Sequence, residues 1–396
     1  MGVNFADGAV RVRVPATSAN LGPGFDAVGL ALGLYDDVAA WVTEGGRSVD
    51  VVGEGAGELP AGADHLVVRA MDAAFDRLGG RPPGVAVECV NRIPQARGLG
   101  SSSAAIVAGI QLARGLVAGG TELMEDDAAL ALAAEIEGHP DNVAPCLLGG
   151  FVIAWAEPAS GSSLAAPSGG GGEGPAVRGG LAGSGGGGVG SAVRGGSAAS
   201  GVGEDAAPGG GSVGAVGEDA ASGGGSARAA DAGEVVGGGA VRFRAVRLVP
   251  AESVRAVVFV PRQRGLTAEA RAALPDVVPH RDAAFNAGRA ALLTHALTAA
   301  PELLFAATED RLHQGYRAAG MPETAALVAE LRDRGVAAVV SGAGPSVLAL
   351  IRPHEDVRVG IEWQAIELPI DVGGARIGSG RLGHAERTPV AAGRKS

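Results

Sequence analysis

The sequence predicts two parts of mixed strands and helices, residues 1–160 and 241–396, separated by a low-complexity insertion over 161–240. Three observations carry this. Glycine supplies 68 of the 396 residues, more than twice the usual share of about 7%, and 30 of those glycines fall within 161–240. The same stretch has no aromatic residue and repeats itself without apolar periodicity: Ala-Val-Arg-Gly-Gly stands at 176–180 and 192–196, and Val-Gly-Glu-Asp-Ala-Ala at 202–207 and 216–221. Outside it, short apolar runs alternate with segments of helical period.

In the first part, Val10–Val14 alternates apolar and charged residues and reads as a strand, as does Val85–Val90. Ser101–Val117 reads as a helix because Ile106, Ile110, Ala113 and Val117 share a face, with serines at its amino-terminal cap position. A second helix is predicted from Asp126 to Glu137, opened by acids and stopped by Gly138 and Pro140. The tract 161–240 cannot offset its ordering entropy and is expected to be disordered. Closing an 80-residue loop instead of a five-residue one costs only about 2.4 kcal/mol more, which a folded domain can carry. In the second part, Val254–Val260 and Ala337–Val340 read as strands and Pro322–Asp333 as an amphipathic helix. Residues 386–396 read as a loose tail.

The balance of 43 acids against 32 bases, a net charge of −11, opposes phosphate neutralisation and argues against nucleic-acid binding. No run of about 18 apolar residues marks a membrane span, and the amino terminus lacks an export signal, so a cytoplasmic protein is expected. Cys89 and Cys146 are too few for a disulfide framework and read as core residues. The only lysine is Lys395, which excludes Schiff-base chemistry and a phosphate loop built on lysine.

What replaces that lysine is Pro94-Gln-Ala-Arg-Gly-Leu-Gly-Ser-Ser-Ser-Ala104. Its glycines admit close backbone approach, and the helix that follows offers free amides and a dipole to an anion. Serine hydroxyls are suitable Mg²⁺ ligands. Pro15-Ala-Thr-Ser-Ala-Asn-Leu-Gly-Pro-Gly-Phe-Asp26 follows a strand as a turn-rich loop carrying Asn20 and Asp26, and Ser341-Gly-Ala-Gly-Pro-Ser346 follows an apolar strand. The glycines of the last segment suit either phosphate approach or support of the serine loop. Trp41 and Trp155 read as packing residues.

Together, in this order and spacing, the three segments resemble the motifs of the GHMP kinases, a family of small-molecule kinases. Within it the chain is most similar to the homoserine kinases, through Ser18–Asp26, through Glu135-Ile-Glu-Gly-His-Pro-Asp-Asn-Val-Ala-Pro145, and through Thr267–Pro275 with His313–Arg317. The resemblance implies a two-domain α+β fold: an ATP-binding domain over 1–160, and a ferredoxin-like carboxy-terminal domain over 241–385, with the insertion near their junction. It implies that ATP lies on Pro94, Gln95, Ala96, Arg97, Gly98, Leu99, Gly100, Ser101, Ser102, Ser103 and Ala104. Mg²⁺ is then held by Ser102 and Glu137, with Glu135 the rival ligand. For L-homoserine it implies Arg271 and Arg317 on the carboxylate, Asp26, Asp141 and Asn20 on the ammonium, Thr267 nearby, and Asn142 orienting the hydroxyl, with Asp141 as base the competing view. His139 reads as a positioning residue. A homodimer is implied by the family alone. A catalytically silent sensor on the same fold predicts loss of metal or phosphate-loop residues, yet Ser102, Glu137 and the complete loop are present.

Overall fold

The computed structural model describes residues 3–157, 242–353, 355, 357, 358, 360 and 363–383. The expected insertion over 161–240 and tail over 386–396 lie outside the described residues.

The chain begins with two long antiparallel strands, β1 (Val10–Ala19) and β2 (Val28–Thr43), followed by β3 (Gly46–Gly53). Helix α1 (Leu66–Arg77) leads to β4 (Gly84–Asn91), and α2 (Ser101–Leu116) leads through the one-turn α3 (Gly120–Leu123) to α4 (Asp126–Glu137). Helix α5 (Pro140–Leu148) and β5 (Phe151–Glu157) close the first stretch. The chain is described again from β6 (Arg242–Leu248), followed by β7 (Arg255–Val260), α6 (Thr267–Ala272), α7 (His280–Thr298), α8 (Leu304–Ala307), α9 (Gln314–Arg317) and α10 (Pro322–Asp333). Strands β8 (Ala337–Val340), β9 (Val347–Ile351), β10 (Gln364–Leu368) and β11 (Arg376–Ser379) follow.

Two sheets result. The first runs β11-β1-β2-β4-β3, with β5 pairing β2 and β6 pairing β5; only β3 and β4 are parallel. Its strands β6 and β11 both come after the tract, so this sheet is built from both parts of the chain. The second is antiparallel in the order β10-β7-β9-β8. Numbered along the chain within that sheet, the order is 4-1-3-2, the ferredoxin-like arrangement.

Val12, Val14, Leu30 and Leu32 from β1 and β2 share one buried core with Phe75 of α1 and Ile106, Ile110 and Leu112 of α2. The predicted helices at 126–137 and 322–333 and the strand at 337–340 are found with those bounds. Strand β1 exceeds its predicted length because Pro15, which lacks an N–H, sits at a register shift, after which Ala16–Ala19 pair with Gly29–Leu32. The expected turn-rich loop is therefore shortened to Asn20–Asp26, which crosses the end of the sheet with Asn20, Leu21 and Asp26 at positive φ.

Candidate active site

A cavity of about 660 Å³ opens where the segment before α2, the starts of α5 and α6, and the Asn20–Asp26 turn converge. Helix α2 begins at Gly100, whose φ of 70° is left-handed, and no side chain caps it. The expected serine cap is thus absent: the serines are the first helical residues, and their amides remain unspent by the helix. Gly100 must be glycine on two counts, because a Cβ there would collide with Thr17 and its φ disfavours any other residue. Gly98, also left-handed, is pressed against the Ser341 carbonyl, while Ser341 Oγ donates to Gly98 O at 2.6 Å. The 341–346 segment therefore braces the serine loop, though Gly342 and Ala343 also line the cavity.

Pro94 through Ser102, and Ala104, line this cavity. Ser103 is fully buried behind the helix start. Its hydroxyl donates to Glu137 Oε1 at 3.0 Å, and Ser102 Oγ donates to the same oxygen at 2.7 Å. A carboxylate and a hydroxyl thus meet at the mouth of the loop, an all-oxygen donor pair suited to Mg²⁺. Glu135 points elsewhere, to Arg77 on α1. No group of three or more His, Cys, Asp or Glu side chains arranged for a metal occurs among the described residues. Arg97, placed on ATP by the resemblance, spends its guanidinium on the carbonyls of Pro261, Gln95 and Arg262 at 3.0–3.1 Å.

On the facing wall, α5 starts with His139-Pro140-Asp141-Asn142. Asn142 Oδ1 accepts a hydrogen bond from Thr17 Oγ1 at 2.8 Å. Asp141 is buried and contacts His139 Nδ1 at 2.5 Å. Burial disfavours the charged imidazole, but the Asp141 hydrogen bond and the charges of Asp141 and Glu137 outweigh it and hold His139 above its ordinary pKa.

At the cavity's third side Arg271 and Asp26 form a bidentate ion pair, both bonds 2.9 Å. Arg317 is buried, donating to Ala270 O at 3.0 Å and Gly342 O at 3.3 Å and bonding His313 Nδ1 at 3.1 Å, with Phe25 under its guanidinium. No carboxylate lies within ion-pair distance of it among the described residues, and burial lowers its pKa. Thr267 opens α6 beside them. Asn20 also lines the cavity; its Nδ2 donates to Gly342 O at 2.9 Å and its Oδ1 accepts from Asp26 N at 3.0 Å, so its amide joins two motifs.

Three features escaped the sequence reading. Thr17 lay inside a quoted motif but had no charge to draw attention. His65, which caps α1 through Nδ1, lines the cavity with Leu59, Pro60 and Leu66, and its buried Nε2 has no hydrogen-bond partner among the described residues. Asp36, also on the cavity wall, accepts the backbone N–H groups of Arg92 and Ile93 at 2.6 and 2.9 Å. Trp41 and Trp155 lie outside this cavity, Trp41 stacking under Arg381. Both cysteines are buried, and burial raises their thiol pKa values.

Residues 65–150 match the family model for the GHMP kinases N terminal domain, and residues 289–362 that for GHMP kinases C terminal. A homoserine kinase of Streptomyces coelicolor is 46% identical over 380 residues, spanning 95% of this chain and 96% of the relative. One from Clavibacter michiganensis subsp. michiganensis is 42% identical over 378 residues, 93% of each chain. The solved structure of a homoserine kinase from Cytophaga hutchinsonii shares the fold, with a TM-score of 0.61 at 20% identity over 94% of this chain and 98% of its own.

Proposed function

Because the chain belongs to the GHMP kinase family, within its homoserine kinases, we propose that this cavity transfers the γ-phosphoryl group of ATP to the hydroxyl of L-homoserine, giving O-phospho-L-homoserine for threonine synthesis. The observation that carries the reading is one cavity joining a glycine-serine loop at a helix start, the Ser102–Glu137 pair, and an acid–arginine cluster suited to an amino-acid head group.

The triphosphate lies along Gly98–Ser102, where the unspent amides at the start of α2 meet its charge. Ser102 and Glu137 would hold Mg²⁺, which supplies neutralisation of the charge developing on the β- and γ-phosphate oxygens. The apolar wall of Leu59, Pro60 and Leu66, with the His65 imidazole, takes the base.

Homoserine brings a carboxylate and an ammonium to the Arg271–Asp26 pair, with buried Arg317 adding positive charge behind it. Asn142 faces the acceptor hydroxyl. An amide cannot take up a proton, so transfer relies on positioning, and the hydroxyl proton leaves late through the phosphoryl group. Asp141, held by His139, orients the start of α5. A pH–rate profile that loses an acidic limb in Asp141→Asn but not in Asn142→Ala would make Asp141 the base instead.

The reading includes a cytoplasmic location, where ATP is available, and a homodimer by family analogy. No described helix is long and apolar enough to cross a membrane. ADP release with L-homoserine, against mevalonate and shikimate, tests the function: turnover confined to L-homoserine is expected, and turnover only with another acceptor would reject it.

A further inference from the structure

Thr17 belongs to the amino-terminal motif but has no part in the roles above. It is fully buried on β1 beneath the phosphate loop. Its backbone N–H donates to Leu99 O at 3.1 Å, and its side chain occupies the space that a Cβ on Gly100 would need. Its hydroxyl donates to Asn142 Oδ1 at 2.8 Å. A carboxamide has one acceptor end and one donor end, so engaging Oδ1 decides which end is left over. Asn142 lines the cavity, and its Nδ2 has no protein partner among the described residues.

We propose that Thr17 is a positioning residue for phosphoryl transfer, its hydroxyl fixing the Asn142 amide so that N–H, rather than the carbonyl oxygen, meets the acceptor hydroxyl. This rests on the kinase reading above. An N–H aimed at the acceptor oxygen orients that oxygen while leaving its proton unengaged. An amide turned the other way would accept the hydroxyl's hydrogen bond and hold the proton back. In the step itself, the bond from the acceptor oxygen to the γ-phosphorus forms as the bond to the β,γ-bridging oxygen breaks. ADP departs with that electron pair, and the hydroxyl proton passes to the transferred phosphoryl group and then to solvent.

Thr17→Val keeps the side-chain shape and removes the donor; Thr17→Ser keeps the donor and removes the methyl. The valine variant is expected to lose roughly 10- to 100-fold in kcat, as for loss of a group that orients a directly acting one, with KM for L-homoserine and for ATP within about threefold of wild type. The serine variant should return to within about threefold in kcat. Equal impairment of both variants would make the methyl packing the cause, and a valine variant with wild-type kcat would remove the role altogether; either overturns the proposal. If the valine protein does not fold, Thr17→Cys, a weaker donor of similar size, should lose kcat with KM unchanged, and an unaltered kcat there would overturn it as well. One readout needs no substrate: with asparagine-selective ¹⁵N labelling, the Asn142 carboxamide signals, assigned from Asn142→Ala, should move in the valine variant and stay in place in the serine variant. Unmoved signals in the valine variant would refute Thr17's hold on the amide. Absence of wild-type turnover with L-homoserine would refute the kinase reading separately.

Discussion

Asp36→Asn should stabilise the protein, and increasingly so as pH rises. Asp36 lies on β2, 5% exposed, and one carboxylate oxygen accepts the N–H groups of Arg92 and Ile93, the residues that lead into the glycine-serine loop. Burial pushes its carboxyl up from 3.8 to about 7, with the neighbouring charge of Asp37 adding to the rise, while the two backbone hydrogen bonds and Arg92 oppose it. An acid with a raised folded-state pKa favours folding most when protonated. Its favourable contribution is complete below pH 3.8, the unfolded value, and is lost as pH rises toward 7. Between pH 5 and pH 8, wild-type stability should therefore fall by about 2.5 kcal/mol relative to a variant that does not titrate at this position. Asparagine retains the oxygen that Arg92 and Ile93 require and removes the ionisation. Urea unfolding of both proteins at pH 5, 6, 7 and 8, read by circular dichroism, measures the difference directly. A stability gap that widens with pH is expected. A constant gap would refute the reasoning, because it would mean that Asp36 ionises in the folded state as readily as in the unfolded chain.

Two further predictions concern the reaction. Glu137→Gln should cost roughly 10²-fold or more in kcat and raise the Mg²⁺ concentration needed for half-maximal rate, whereas Glu135→Gln, which loses only an exposed contact to Arg77, should stay within about twofold of wild type; steady-state rates across a Mg²⁺ titration check both. Arg271→Met removes a charged bidentate partner and should raise KM for L-homoserine by roughly 10- to 100-fold while leaving KM for ATP within about twofold; equal effects on both substrates would contradict its placement at the head group.

Much of the fold was legible because its elements carry their own punctuation. The helix over 126–137 opens with Asp126 and Asp127 and ends at Gly138, in a left-handed conformation suited to glycine, so local chemistry sets both bounds. Strand β1 reads short because Pro15 interrupts the pattern and Ala16, Ser18 and Ala19 are small residues of weak strand preference around Thr17; their pairing with β2 is a tertiary fact. At the site, motif order brought the serine loop, Glu137, Asn142 and the acid–arginine cluster to one cavity. What the motifs did not carry was orientation. Whether Glu135 or Glu137 faces the serine loop depends on which side of α4 packs on α2. The backbone partner of Asn20, Gly342, is 322 residues away along the chain. Thr17 was invisible for the same reason, since its partner Asn142 is 125 residues distant.

The central claim, phosphoryl transfer from ATP to the L-homoserine hydroxyl in this cavity, is tested most directly by ³¹P NMR of the product. Wild-type enzyme with ATP, Mg²⁺ and L-homoserine should yield ADP and one phosphomonoester resonance coupled to the protons of the former hydroxyl-bearing carbon, and Glu137→Gln should all but abolish it. Release of inorganic phosphate alone, or an ester of undiminished rate in the Glu137→Gln variant, would contradict the account.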